Sequence, residues 1–303
     1  MHGKNRKLIV VFGLLLIANL VFFFTSQTKL SVSFDENLFK IESPDLISQI
    51  QIGDLKLSKN GDKWILNGQY AASNELIRLV MSILNRVEVK KPVSIPVVQN
   101  DVRLNIDGQE RSFYVWGNPT KTKTYFAQEN SEEVYEVQIP GYNEYLAGIF
   151  ELTADKWRDR LVLNGTWRTI QQLTLEYEGS ADKNVSITFD DAFFKVPGVN
   201  ALDSNRVVDY LNQFEYFQAN EWITKGRFPN YDLLAESVPL AKLTLETIDS
   251  AEPIVMEIFK PLERDRFFLA RLNGEELFVI DQKRALRILV SLPDFELKIT
   301  PVK

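Results

Sequence analysis

One order of patterned segments occurs twice in this chain, about 130 residues apart, and it limits the fold more than any single motif does. The first occurrence opens with Ile50-Gln51-Ile52 and Leu55-Lys56-Leu57, passes through Asn60-Gly61 and reaches Trp64-Ile65-Leu66. Alternating apolar residues argue for half-buried strands. Asn-Gly between such runs signals a two-residue hairpin, because both turn positions take positive φ. From Asn74 the period changes. Leu76, Ile77, Val80, Ile83, Leu84 and Val87 recur at spacings of three and four, the stripe of an amphipathic helix with Ser73 or Asn74 as its cap. In the second occurrence Leu173-Thr174-Leu175, Val185–Phe189 and Phe194-Lys195-Val196 take the strand positions. Asp203 and Ser204 then cap a helix pattern carrying Val207, Val208, Leu211, Phe214 and Phe217. Ile77, Met81, Leu84 and Val87 align with Val207, Leu211, Phe214 and Phe217 at a constant offset of 130.

Four strands are expected behind each helix. Val102–Ile106, Asp107-Gly108 and Phe113–Trp116 form one hairpin, matched by Ala241–Leu245 and Ile254–Phe259. Tyr125–Ala127 and Val134–Val137 correspond to Phe268–Ala270 and Leu277–Ile280 at an offset of 143, the later pair joined by Asn273-Gly274. Short helices at Tyr142–Phe150 and Gln282–Val290 close the two runs. Each unit thus reads β-β-α-β-β-β-β-α, an α+β arrangement of antiparallel hairpins. Recurrence in the same order favours an internal duplication over two unrelated domains.

Residues 8–24, from Leu8 to Phe24, carry no charge and lie directly behind Lys4, Arg6 and Lys7. That length is the low end of what crosses a bilayer as a helix, and a basic flank on one side only puts the N-terminus in the cytoplasm. The stretch runs into Phe22-Phe23-Phe24-Thr25-Ser26-Gln27 without a small-residue cleavage pattern, which favours an uncleaved anchor over a secretory signal. The expected layout is a cytoplasmic N-terminus (1–7), a transmembrane helix (8–24), a linker (25–44), a first α+β copy (45–164) and a second (165–303). Asn164-Gly165-Thr166 connects the copies. The expected location is a bacterial inner membrane, with the bulk of the chain periplasmic.

The net charge is −6, and the three positive charges before residue 25 leave the remainder near −9. An acidic body is repelled by nucleic acid, anionic lipid and acidic glycans, so none of these is an expected partner. The chain has no cysteine, so the core must hold the fold without disulfides. An apolar content of 45% suffices for that. His2 is the single histidine and precedes the anchor. Zinc sites built on His or Cys, and Ser-His-Asp or Cys-His catalysis, are therefore excluded from the outer part. Neither Gly-x-Gly-x-x-Gly nor a P-loop occurs, and no cofactor or metal is expected.

Carboxylates remain. The pairs Glu132-Glu133, Asp190-Asp191 and Glu275-Glu276 fall at strand ends or turns and read as solvated surface. Asp182, Asp190 and Asp191 sit at the two ends of one strand but lack the spacing of a calcium loop. Trp157-Arg158-Asp159-Arg160 reads as a structural corner with Trp157 buried, or as a polar clamp at the seam between copies with Asp159 paired to an arginine. Within Phe214–Ile223, helical spacing turns Phe214 and Phe217 inward and leaves Tyr216 and Trp222 exposed. Trp157, Arg158, Arg160, Tyr216 and Trp222 are accordingly the candidate partner surface, since aromatics and arginine dominate binding hot spots.

The arrangement resembles the bacterial domain-of-unknown-function family DUF4340. The resemblance is carried by the N-terminal apolar segment, the Leu55-x-Leu57…Asn60-Gly61-Asp62-x-Trp64-x-Leu66 hairpin and the helix starting near Ala72. Gly117-Asn118-Pro119, the strands Tyr125–Ala127 and Val134–Val137, and Trp157-Arg158-Asp159-Arg160-Leu161 complete it. The second copy departs from it: Phe194 stands in place of the tryptophan and no Gly-Asn-Pro follows Phe259. The resemblance implies a membrane-attached accessory subunit of an ABC-type transport or cell-envelope complex, and it brings no catalytic residues. The expected function is therefore binding to other envelope or transporter proteins. The alternatives are a periplasmic glycan-acting enzyme using two carboxylates, or a ligand-binding sensor with its groove between the copies.

Overall fold

The computed structural model describes residues 34–98 and 100–297. These residues form mainly antiparallel sheet, with few and short helices. Among them no helix is long and apolar enough to cross a membrane, and the expected anchor, Leu8 to Phe24, lies outside the described residues.

The first sheet is built from β1 (Ile47–Ile52), β2 (Leu55–Asn60), β3 (Lys63–Leu66), β4 (Tyr70–Ala71), β5 (Glu88–Val93), β6 (Asp101–Ile106), β7 (Gln109–Gly117), β8 (Thr124–Gln128) and β9 (Val134–Gln138). Its order is β4-β3-β2-β1-β6-β7-β8-β9-β5. Helix α1 (Asn74–Arg86) starts where Ser73 accepts the Leu76 amide, and it buries Ile77, Val80, Ile83 and Leu84. Four strands precede the helix, not two, because the hairpin through residue 60 continues into β3 and the short β4 pairs onto that. The loop is Gly61-Asp62, since Asn60 still pairs with Lys63, and only Gly61 has positive φ there. This is the glycine-first hairpin turn. Asp107-Gly108 takes the expected form, with φ of 49° and 80°.

β5 is absent from the β-β-α-β-β-β-β-α reading. It leaves α1 and pairs with β9 at the far edge of the sheet. Edge position is what lets a strand hold Pro92, which has no amide to donate. The first unit also begins before position 45: Phe39 and Ile41 are buried, and Phe39 lies edge-on to Phe113, Phe126 and Tyr135. Arg111 ties this strap down by donating to the Leu38 and Lys40 carbonyls.

The second sheet comprises β11 (Ile170–Tyr177), β12 (Val185–Asp190), β13 (Phe193–Lys195), β15 (Glu221–Ile223), β16 (Ala241–Thr247), β17 (Ile254–Ile258), β18 (Phe267–Leu272) and β19 (Glu276–Asp281). Its order is β13-β12-β11-β16-β17-β18-β19-β15. Helix α3 (Ser204–Leu211) is capped by Asp203, which accepts the Asn205 and Arg206 amides. The helix stops earlier than its apolar spacing suggests: Phe214 closes a 3-10 turn, and Phe217 lies on β14 (Phe217–Gln218). Helix α5 (Gln282–Ile288) follows β19, while the first unit ends in a 3-10 turn, Leu146–Glu151.

Each sheet carries a main core on one face. Ile50, Leu57, Val80, Leu84, Leu104, Phe126 and Trp157 belong to the first, and Leu175, Ile187, Leu211, Phe214, Leu243, Phe278 and Phe295 to the second. Each such side chain stabilises by about 1.5–3 kcal/mol on burial. Smaller clusters cover the opposite faces. Trp116, Ala127 and Val134 pack beneath residues 93–97, while Ile223, Phe259, Leu269 and Val279 pack beneath α4 (Pro229–Ala235).

Candidate functional site

Residues 154–163 pass between the two units and are hydrogen bonded to both. Helix α2 (Ala154–Trp157) delivers Trp157 into the first core, fully buried, and the Ser73 amide donates to its carbonyl. The Trp157 indole nitrogen has no hydrogen-bond partner among the described residues. The Asp159 amide donates to the Ala71 carbonyl. On the other side, the Ala219 amide donates to the Arg160 carbonyl, and β10 (Leu161–Leu163) pairs with β14.

Arg158 occupies the centre of this seam. Its guanidinium carbon lies 4.1 Å from the Tyr70 ring centroid and 3.5 Å from that of Trp222. Its Nη2 is 2.7 Å from Glu276 Oε1, and the two side chains are 15% and 28% exposed. A planar cation between two aromatic faces with a carboxylate at its edge is an arrangement lysine cannot reproduce. Around it, Thr224 Oγ1 donates to Asp155, and Glu221 receives both Lys156 (2.9 Å) and Arg227 (3.0 Å). A groove of about 550 Å³ opens on one side, lined by Trp64, Gln69, Tyr70, Arg158, Asp159 and Glu276.

The sequence-derived candidates distribute unevenly. Arg158 is the clamp, but its partner is Glu276; the Asp159 carboxylate instead accepts the Leu161 amide. Glu276 is therefore not the solvated charge its turn position suggested. Trp222 is buried, not exposed: it sits on β15, and its indole nitrogen donates to the Asp159 carbonyl at 2.8 Å. The helical spacing that placed it outward does not exist there, because the chain has become strand. Tyr216 is 68% exposed with φ of 47°, and its amide donates to Asn164 Oδ1. Arg160 is exposed and holds the seam through its backbone alone. Tyr70 and Glu276 escape sequence reasoning because nothing local distinguishes them.

A second concavity lies beside α4. It measures about 490 Å³, and its lining combines Ile223, Phe228, Tyr231, Leu262 and Phe267 with polar Glu221. Burial, and then the 2.6 Å hydrogen bond to Asp265, push the Tyr231 hydroxyl well above the ordinary tyrosine range. Leu233 on the same helix is 74% exposed and Val238, just beyond it, 66%.

Among the described residues no group of three or more His, Cys, Asp or Glu side chains is placed to hold a metal ion. Two carboxylates are displaced in pKa, both downward. Burial raises Glu136, but the Lys90 hydrogen bond and the charges of Lys90, Lys123 and Lys91 outweigh it. Glu151 is likewise raised by burial and brought lower by Tyr145 and Lys121. Both stay ionised at neutral pH, which suits ion pairing and not proton donation. No protein-family model matches this chain, and no curated protein or solved structure matches it.

Proposed function

We propose that this chain is a membrane-tethered, extracytoplasmic binding subunit that acts by docking onto other proteins of a cell-envelope or ABC-type transport assembly. In this reading it belongs with the DUF4340 family, is anchored by residues 8–24 in a bacterial inner membrane, and arose by duplication of one α+β unit. The duplication is supported by the constant sequence offsets and by the two strand orders, which follow the same succession once β4 is set aside. The observation that carries docking is α4 and its flanks, where Phe228, Leu233 and Val238 are exposed large apolar side chains and Phe228 lines the 490 Å³ cleft.

The test is co-purification of the tagged full-length chain from native membranes in mild detergent, with mass spectrometry of what accompanies it. Stoichiometric recovery of permease or ATPase subunits, lost in a Leu233→Glu/Val238→Glu variant, is the expected result. Recovery of the chain alone sinks the reading. The seam groove favours a second reading, a ligand-sensing module, because Tyr70, Arg158 and Glu276 offer an aromatic face and both charges together. Saturable binding of a small molecule, abolished by Tyr70→Ala, would establish that reading instead.

A further inference from the structure

We propose that the outer face of the first sheet, where β5, β8 and β9 meet, rests on the anionic headgroup surface of the bilayer; this builds on the membrane-tether reading above. Lys90, Lys91 and Lys123 gather around Glu136 at 2.9, 3.7 and 3.8 Å. The lysine side chains are about half exposed, whereas that of Glu136 is 6% exposed. One carboxylate cannot neutralise three ammonium groups, so two positive charges remain at the surface of an otherwise acidic body. Glu132 and Glu133 precede β9 and line the groove beside Pro92, Ile95 and Tyr135.

The same face is aromatic. Strand alternation puts Tyr125 with Lys123, and Tyr125 pairs with Glu136 across the ladder. Tyr125 and Tyr114 are half-buried around the covered Trp116, and Val98 is 48% exposed. Tyrosine and lysine both hold an apolar body and a polar tip, which suits the membrane–water boundary.

The described chain starts at the same edge of the sheet, where Phe34 packs against the main core. Phe34 shares a groove with Pro92, Ile95, Pro96 and Tyr135, and the Val89 amide donates to the Glu36 carbonyl. Nine residues, 25–33, separate Phe24 from Phe34. Fully extended they span at most ~30 Å. The tether therefore keeps this edge of the sheet within reach of the bilayer, where the surplus lysine charge is drawn to anionic headgroups.

The absence of native cysteine allows a single reporter thiol. The full-length chain carrying Val98→Cys, or Lys183→Cys in the second unit as control, is labelled with a fluorophore. It is reconstituted into vesicles of phosphatidylcholine alone or mixed equally with phosphatidylglycerol, each containing a spin-labelled quencher lipid. We expect severalfold stronger quenching at Val98→Cys than at Lys183→Cys in the anionic vesicles. Added salt, or Lys90→Gln, Lys91→Gln and Lys123→Gln combined with Glu136→Gln to avoid a stranded buried charge, should abolish the difference. Equal quenching at both positions, in chain that still floats with vesicles, overturns the docking face and leaves the tether standing. Chain that does not float overturns both.

Discussion

Replacing Arg158 by alanine removes three contacts at once, and their sum can be worked from the geometry. The 2.7 Å bond to Glu276 joins two charged groups that are mostly shielded from water, and such hydrogen bonds contribute about 1.5–3 kcal/mol. Stacking on Trp222 at 3.5 Å and Tyr70 at 4.1 Å adds roughly 0.5–2 kcal/mol, the two faces overlapping in effect. Discounting for the 28% exposure of Glu276, we expect Arg158→Ala to cost about 3 kcal/mol. Arg158→Lys keeps the charge but loses the planar fork, and is expected to cost roughly 1–2 kcal/mol. The assay is urea unfolding of the single and double variants with Glu276→Gln, giving a coupling energy from the cycle. A loss below about 0.5 kcal/mol, the range of ordinary surface changes, would refute the clamp, as would an additive cycle.

Three further outcomes are expected. A Cβ at Gly117 would collide with the Tyr145 hydroxyl, so Gly117→Ala should cost about 1–3 kcal/mol by overpacking; the loss should vanish in a Tyr145→Ala background when thermal melts are compared. Glu136 is held below its ordinary pKa, so its stabilisation is present above the unfolded carboxylate value near 4 and is lost as pH falls through the folded one; acid unfolding of Glu136→Gln should lack that component. The hydrogen bond from Tyr135 to Glu133, with burial and the carboxylate charge, pushes the Tyr135 hydroxyl up to about 12. Ultraviolet titration should show it ionising late, with the associated stability lost as pH rises from the unfolded value near 10 through about 12, and Glu133→Gln should bring it down.

Local chemistry in the chain carried much of the fold. Period-two and period-3.6 spacing located most of the hairpin strands and the starts of α1 and α3, because a strand or helix that covers a core must repeat its apolar residues on one face. Ser73 and Asp203 could be read as caps and Asp107-Gly108 as a turn, since each works through its immediate neighbours. Cysteine and histidine content alone narrowed the chemistry. What tertiary structure decided lies at edges and seams. β5 holds two valines among charges and a proline, and becomes a strand only because β9, more than forty residues on, offers it an open edge. Trp222 is buried because β19 draws residues 221–223 into a sheet, and Glu276 is paired because Arg158 arrives from 118 residues away. Side chains at such junctions are chosen by partners distant in the chain, and periodicity records only which face a residue occupies, not what will meet it there.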